Sequence, residues 1–144
     1  MKTKKIEAGG GVVYRSLKDS NTEVLLILRN GVWDIPKGKR EKGESREQCA
    51  RREVMEEVNA DALPKIIDAL DSSFHSYQQK DKRYDKTTFW YMMVFENVQQ
   101  FAPQTSEGIE KVEWVELIEA KKRVGYENLE KVLIECEIKL NSKA

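Results

Sequence analysis

The chain has 144 residues, enough for one domain with a buried core, and a single domain over residues 1–144 is the expectation. Its 25 basic and 25 acidic residues cancel to a formal net charge of zero, so no global field directs it to nucleic acid or to an acidic membrane. Cys49 and Cys136 are too few for a disulfide framework and suggest a reduced, cytoplasmic protein; the start MKTKKIEAGG lacks the apolar core of a secretory signal, and the longest apolar run, Phe89 to Phe95, is too short to cross a membrane.

Lys5 to Arg15 reads as a strand interrupted by Gly9, Gly10 and Gly11. Glycines inside a strand mark a bulge or a close approach of another backbone or a ligand, and we assign these to packing. Val24 to Leu28 (VLLIL) is a short apolar run of the kind a buried strand shows. Asp19-Ser20-Asn21 supplies turn chemistry before it, so the two runs are expected to form a hairpin. Trp33-Asp34-Ile35-Pro36-Lys37-Gly38 follows. Pro36 fixes its own φ and holds Ile35 extended, giving a stiff approach to Gly38. Trp33 is equally well read as a plain core aromatic.

Gly38 to Ala60, GKREKGESREQCARREVMEEVNA, is the most informative stretch. Ser45 followed by Gln48 is a capping-box pattern opening a helix. Ala50, Val54 and Val58 give that helix a narrow apolar stripe, and Asn59 stands where a left-handed residue commonly ends a helix. Five glutamates fall between positions 44 and 57 among Arg46, Arg51 and Arg52. Glu53, Glu56 and Glu57 share one helix face by their i, i+3, i+4 spacing, which suits a hard divalent cation such as magnesium. Arg52, four residues before Glu56, stands beside that face, where it can hold a carboxylate ionised. The alternative is a solvated, salt-bridged surface helix.

Gly38, Glu44, Arg52, Glu53, Val54, Glu56 and Glu57, at their fixed spacing, resemble the signature box of the Nudix hydrolase family. The family pattern closes in x-glycine-aliphatic, whereas this chain has Val58-Asn59-Ala60. That departure touches the turn and not the acidic positions. The resemblance implies a mixed β-sheet between helices, an α/β/α sandwich of the α+β kind. It also implies hydrolysis of pyrophosphate linkages with magnesium or manganese held by Gly38, Glu53, Glu56 and Glu57. Arg52 and Glu57 belong to the catalytic set, with Glu53 in many relatives, and Glu107 as an alternative here, taking the proton from water. The phrase W-x-I-P-K-G, with Gly43-Glu44 after it, is similar to Nudix enzymes acting on dinucleoside polyphosphates such as diadenosine tetraphosphate. Related phrases occur in those cleaving diphosphoinositol polyphosphates or triphosphorylated RNA ends. The partner implied is a small nucleotide or polyphosphate, with no membrane and no clear nucleic-acid surface, and a homodimer is left open. A Nudix-shaped binding module without turnover is the competing class; such modules typically lose a box carboxylate, and none is lost here.

Ala62 to Ser73 reads as a strand after Pro64, and Tyr84 to Val98, rich in aromatic and β-branched residues, as another. The polar segments Gln78 to Asp81 and Lys82 to Lys86 are expected to form the loop of a hairpin. In Nudix folds this hairpin overhangs the pocket, which makes Phe74, Tyr77 and Tyr84 candidates to stack on a base, beside Lys37 and Lys39 for phosphate oxygens. His75, the single histidine, is expected to be structural or exposed. Glu107 precedes a strand in which Val112, Trp114 and Leu117 are expected to alternate inward. Leu129, Val132, Leu133, Cys136 and Leu140 give 128–140 helical spacing and a packing role.

Overall fold

The spine of the sheet is β1 (Lys2–Ser16), which runs parallel to β7 (Lys82–Val94) from Lys2 opposite Lys82 to Val13 opposite Met93. The structure is a computed structural model describing residues 2–16 and 21–142. On its other edge β1 pairs antiparallel with β2 (Thr22–Arg29) and, around Gly9, with β4 (Lys37–Lys39). Outside these, β2 carries β3 (Val32–Asp34) and β8 (Ile109–Glu116), while β7 carries β5 (Lys65–Ala69) and β6 (Ser73–Gln79), all antiparallel. Among the described residues this makes one mixed sheet of eight strands. The first hairpin forms as expected; its Asp19-Ser20 turn lies outside the described residues.

Helices cover both faces. α1 (Arg46–Val58) lays Ala50, Val54 and Val58 on Val13, Leu25, Ile27, Tyr91 and Met93. α2 (Leu117–Arg123) and α3 (Glu127–Ser142) lay Leu117, Ala120, Leu129, Val132, Leu133 and Cys136 on Val12, Val24, Leu26, Trp90 and Met92. Alternate residues of each central strand thus feed opposite cores, which is why VLLIL is an unbroken apolar run. This is the α/β/α sandwich, an α+β fold. The glycines of β1 serve packing: a Cβ on Gly9 would lie 2.8 Å from the backbone nitrogen of Ala50, so α1 sits directly on the strand.

Several local expectations are corrected. The loop expected over 78–86 is mostly strand, β7 starting at Lys82, two residues before the strand expected from Tyr84; β6 and β7 meet in a two-residue turn at Lys80 and Asp81, with Lys80 at φ 57°. Both faces of this ribbon are largely solvated, so no hydrophobic alternation marks it as sheet. Within 62–73 only Lys65–Ala69 is one strand, and Ser73 already opens the next. Val112 and Trp114 pack toward α1, but Leu117 starts α2 and enters the opposite core. Trp33 packs against that same opposite core, with the Arg123 guanidinium 5.1 Å from its ring.

Candidate active site

The acidic helix is anchored at both ends. Ser45 Oγ accepts from Gln48 N at 3.0 Å and Gln48 Oε1 from Ser45 N at 2.8 Å, closing the capping box. Asn59 takes the left-handed conformation (φ 53°, ψ 44°), and its Nδ2 donates to the Ala102 carbonyl at 2.9 Å.

Between these caps Arg52 is the electrostatic hub. It donates to both Glu44 oxygens at 2.7 and 2.8 Å, to Glu56 at 2.9 Å, to Glu53 at 3.1 Å and to the Lys39 carbonyl at 3.1 Å. These hydrogen bonds hold the Glu44 carboxyl down to about 2, and the carboxylates in turn raise the pKa of Arg52. Glu57 is buried, and is met by the Arg29 guanidinium from the end of β2 and by Lys37 N at 3.0 Å. Burial raises its pKa, with Arg29 and Lys37 pulling the other way. Glu53 is the under-neutralised member: burial pushes it up to about 7 against Arg52, with Glu56 and Glu57 adding repulsion.

Among the described residues no three acidic, histidine or cysteine side chains converge as a finished metal cage. The three glutamates share a helix face as their spacing requires, but Glu56 is turned to Arg52 and Glu57 to Arg29. The donor chemistry nevertheless fits a hard divalent cation, being all oxygen and short of positive charge at Glu53. Gly38 is pressed against that carboxylate, where a Cβ would come within 2.0 Å of the Glu53 carboxyl carbon. Its carbonyl lies 3.6 Å from Cys49 Sγ, and burial pushes that thiol up to about 12, well out of the nucleophilic range.

Two clefts open here. The first, about 370 Å³, brings Glu53, Glu57 and Gly38 together with Lys37, Lys39, Tyr77 and, from the turn before β8, Glu107. The second, about 640 Å³, is lined by Ser73, His75, Trp90, Tyr126 and Asn128. Arg29, Lys37 and Lys86 line both. Lys37 Nζ is tied to the buried Asp34 at 2.9 Å. Burial, with Lys37 and Arg29 nearby, lowers the pKa of Lys86. Tyr84 lines neither cleft but stacks on Tyr77, ring centroids 5.1 Å apart. Phe74, one residue out of phase with His75 and Tyr77, is exposed and lines neither cleft. Arg52 and Glu56, joined by a hydrogen bond of 2.9 Å, line neither cleft.

Sequence reasoning missed Arg29, placed Lys86 only in the polar hairpin segment, and left His75 outside the pocket. The only signal for Arg29 was a charge directly ending a buried strand. For Lys86 it was the alternation Tyr84, Lys86, Thr88 entering the apolar part of β7.

A family model described as the NUDIX domain matches residues 10–136. Among curated proteins, the chain is 28% identical over 133 residues to the m7GpppN-mRNA hydrolase of Saccharomyces cerevisiae, spanning 91% of this chain and 13% of that protein. Among solved structures, a C. elegans Ap4A hydrolase superposes with a TM-score of 0.69 at 25% identity, covering 95% of this chain and 99% of that one. The NUDIX domain of Shewanella oneidensis NrtR, complexed with ADP ribose, superposes with a TM-score of 0.69 at 17% identity, covering 95% and 89%. Among the described residues no helix is long and apolar enough to cross a membrane.

Proposed function

The chain belongs to the Nudix hydrolase family, and on that premise we propose that it hydrolyses dinucleoside polyphosphates, with diadenosine tetraphosphate as leading substrate and ATP and AMP as products. The observation that carries this reading is the waist of three cations, Arg29, Lys37 and Lys86, shared by the two clefts. A chamber with carboxylates at one end, aromatics at the other and cations between matches a molecule with bulky ends joined by several phosphates. The likeness to a C. elegans Ap4A hydrolase and to a yeast hydrolase of m7GpppN ends supports it, since both names describe nucleosides joined through a phosphate chain.

Glu53, Glu56 and Glu57, with the Gly38 carbonyl, are the groups that would hold magnesium or manganese. Such an ion, when bound, neutralises phosphate charge and acidifies its water. Arg52 orients Glu56, and it keeps Glu44 ionised and oriented. Arg29, Lys37 and Lys86 take the non-bridging oxygens, with Lys39 at the rim. The water oxygen bonds to the phosphorus, the bridging P–O bond breaks and the departing phosphate keeps the electron pair. The proton goes to a carboxylate, Glu53 or Glu107, both of which line the same cleft. Tyr77, stacked on Tyr84, offers a base a flat partner.

Product chromatography with magnesium on diadenosine tetraphosphate, a diphosphoinositol polyphosphate, ADP-ribose and nucleoside triphosphates tests this. ATP and AMP from the dinucleotide are expected. Two ADP molecules, or a preference for the inositol compound at equal concentration, overturn it.

A further inference from the structure

The zero net charge of the chain conceals a one-sided distribution on the ribbon formed by β6 and the first halves of β1 and β7. The register sorts its side chains by parity. Lys2, Lys4 and Ile6 share a face with Lys82, Tyr84 and Lys86 and with Gln79, Tyr77 and His75. This is the cleft face, because Ile6, Tyr77 and Lys86 line the first cleft and His75 the second. It carries four lysines and no carboxylate. The other face carries Lys5 and Arg83 against Glu7 and Asp85, and there the charges are satisfied locally. Arg83 Nε donates to Asp85 at 3.0 Å, and Glu7 pairs with Arg40 and Arg46 at 3.2 Å.

Lys2 and Lys82 are direct cross-strand partners, a like-charge pairing that destabilises a sheet. Neither they nor Lys4 and Lys86 has a salt-bridge partner among the described residues. The lysines alternate with flat rings: Tyr77 stacks on Tyr84 at 15° interplanar, and the His75 ring lies 5.2 Å from Tyr77. From Lys86 at the cleft to Lys82 at the tip the track is roughly 13 Å long at about 3.3 Å per residue. Unpaired cations interleaved with aromatic faces are the chemistry of a single-stranded nucleic-acid path. An acidic membrane would call for aliphatic or tryptophan side chains on the same face. The exposed Phe74 is on the opposite one.

We propose that this face, which runs up to the catalytic cleft, binds a single-stranded polynucleotide. Binding to the ribbon does not itself depend on the substrate reading above, and the two fail separately. The test is fluorescence anisotropy with a short single-stranded oligouridylate lacking 5′ phosphates, at low and at near-physiological salt. Turnover of diadenosine tetraphosphate is measured in parallel on the same preparations. The double variant Lys4→Gln/Lys82→Gln should bind the oligonucleotide at least about tenfold more weakly. Its log–log salt slope should be shallower by about 1.4, at ~0.7 per lost contact. Turnover of the dinucleotide should stay unchanged. Lys5→Gln/Arg83→Gln removes the same charge from the opposite face and should leave binding near wild type. Absence of binding by the wild type, equal weakening by both double variants, or binding of phosphatidylserine vesicles without the oligonucleotide would each overturn the proposal. Loss of dinucleotide turnover in the wild type would instead strike the substrate reading alone.

Discussion

Arg29, the last residue of β2, places its guanidinium on the carboxylate of Glu57 in α1, a residue otherwise sealed between helix and sheet. Removing the arginine leaves a carboxylate in a low-dielectric pocket with only Lys37 N beside it. Arg29→Met should therefore lower unfolding free energy by about 2 kcal/mol, below the range for a fully buried pair because Arg29 is partly solvated. Adding Glu57→Gln should return much of that loss, since the unpaired charge goes with it. Urea unfolding of the two single variants and the double variant reads this out, and strict additivity would show that the two groups do not act as a pair.

Glu57→Gln alone should lower magnesium-dependent turnover by orders of magnitude, because a neutral amide is a far poorer partner for a hard cation than a carboxylate. The helix tolerates the change, glutamine being nearly as good a helix former. Near-normal turnover at saturating magnesium, with circular dichroism unchanged, would remove Glu57 from the metal set.

The Arg52 hub makes a prediction about acid. Glu44 is lowered from 4.5 to about 2 in the fold, so its contribution to stability is complete above roughly pH 5 and drains away as the pH falls from 4.5 through 2. Glu44→Gln should thus be less stable than wild type at neutral pH, with the gap closing toward pH 2. Thermal melts of both proteins across that interval test it. A gap that stays constant with pH would show that packing, not ionisation, makes the difference.

What the sequence disclosed, and what it withheld, follows from where each signal resides. The capping box, the apolar stripe and the carboxylate face of α1 are local patterns of one helix, and each forms as its spacing requires. VLLIL and the apolar end of β7 were legible because burial on both faces leaves continuous apolar runs. The ribbon of β6 and early β7 was less legible, because solvated strands carry no apolar period: the strand from Tyr84 was recognised, but 78–86 also read as loop. Arg29 and Lys86 enter the site only through pairings between distant segments, which composition and spacing do not encode. Net charge misled in the same way: a sum of zero says nothing about the two faces of one strand.

Asn59 shows how a tertiary contact alters an expectation based on backbone alone. Its left-handed conformation would be easier for glycine, which by itself makes Asn59→Gly neutral or slightly stabilising. The Nδ2 bond to Ala102 adds a link that glycine lacks, so Asn59→Gly should be mildly destabilising, by about 0.5–1 kcal/mol. Asn59→Val should lose about 1 kcal/mol more, because a β-branched residue resists positive φ. Denaturant midpoints ordered wild type, glycine, valine are the expected result. A glycine variant at least as stable as wild type would show that the Ala102 bond contributes nothing.

Lys86 should set stability against function. It stands at the waist of the two clefts beside Lys37 and Arg29, and burial lowers its pKa below the ordinary 10.5. A lysine whose folded pKa is depressed binds its proton more weakly in the fold than in the unfolded chain. Charging it therefore costs stability at neutral pH, and that cost disappears as the pH rises toward 10.5. Lys86→Met keeps the aliphatic stem and removes the charge, so it should melt higher than wild type at neutral pH, with the difference shrinking in alkali. On the proposed substrate, the same change takes a cation from the path of the phosphate chain. If Lys86 grips a phosphate other than the reacting one, the KM for diadenosine tetraphosphate should rise about tenfold with kcat little altered. ADP-ribose, with fewer phosphates to span the waist, should be affected less. Melting curves and steady-state kinetics on the two substrates decide the matter. A variant that melts lower, or that loses kcat equally on both substrates, would make Lys86 a structural residue and not the one that grips the chain.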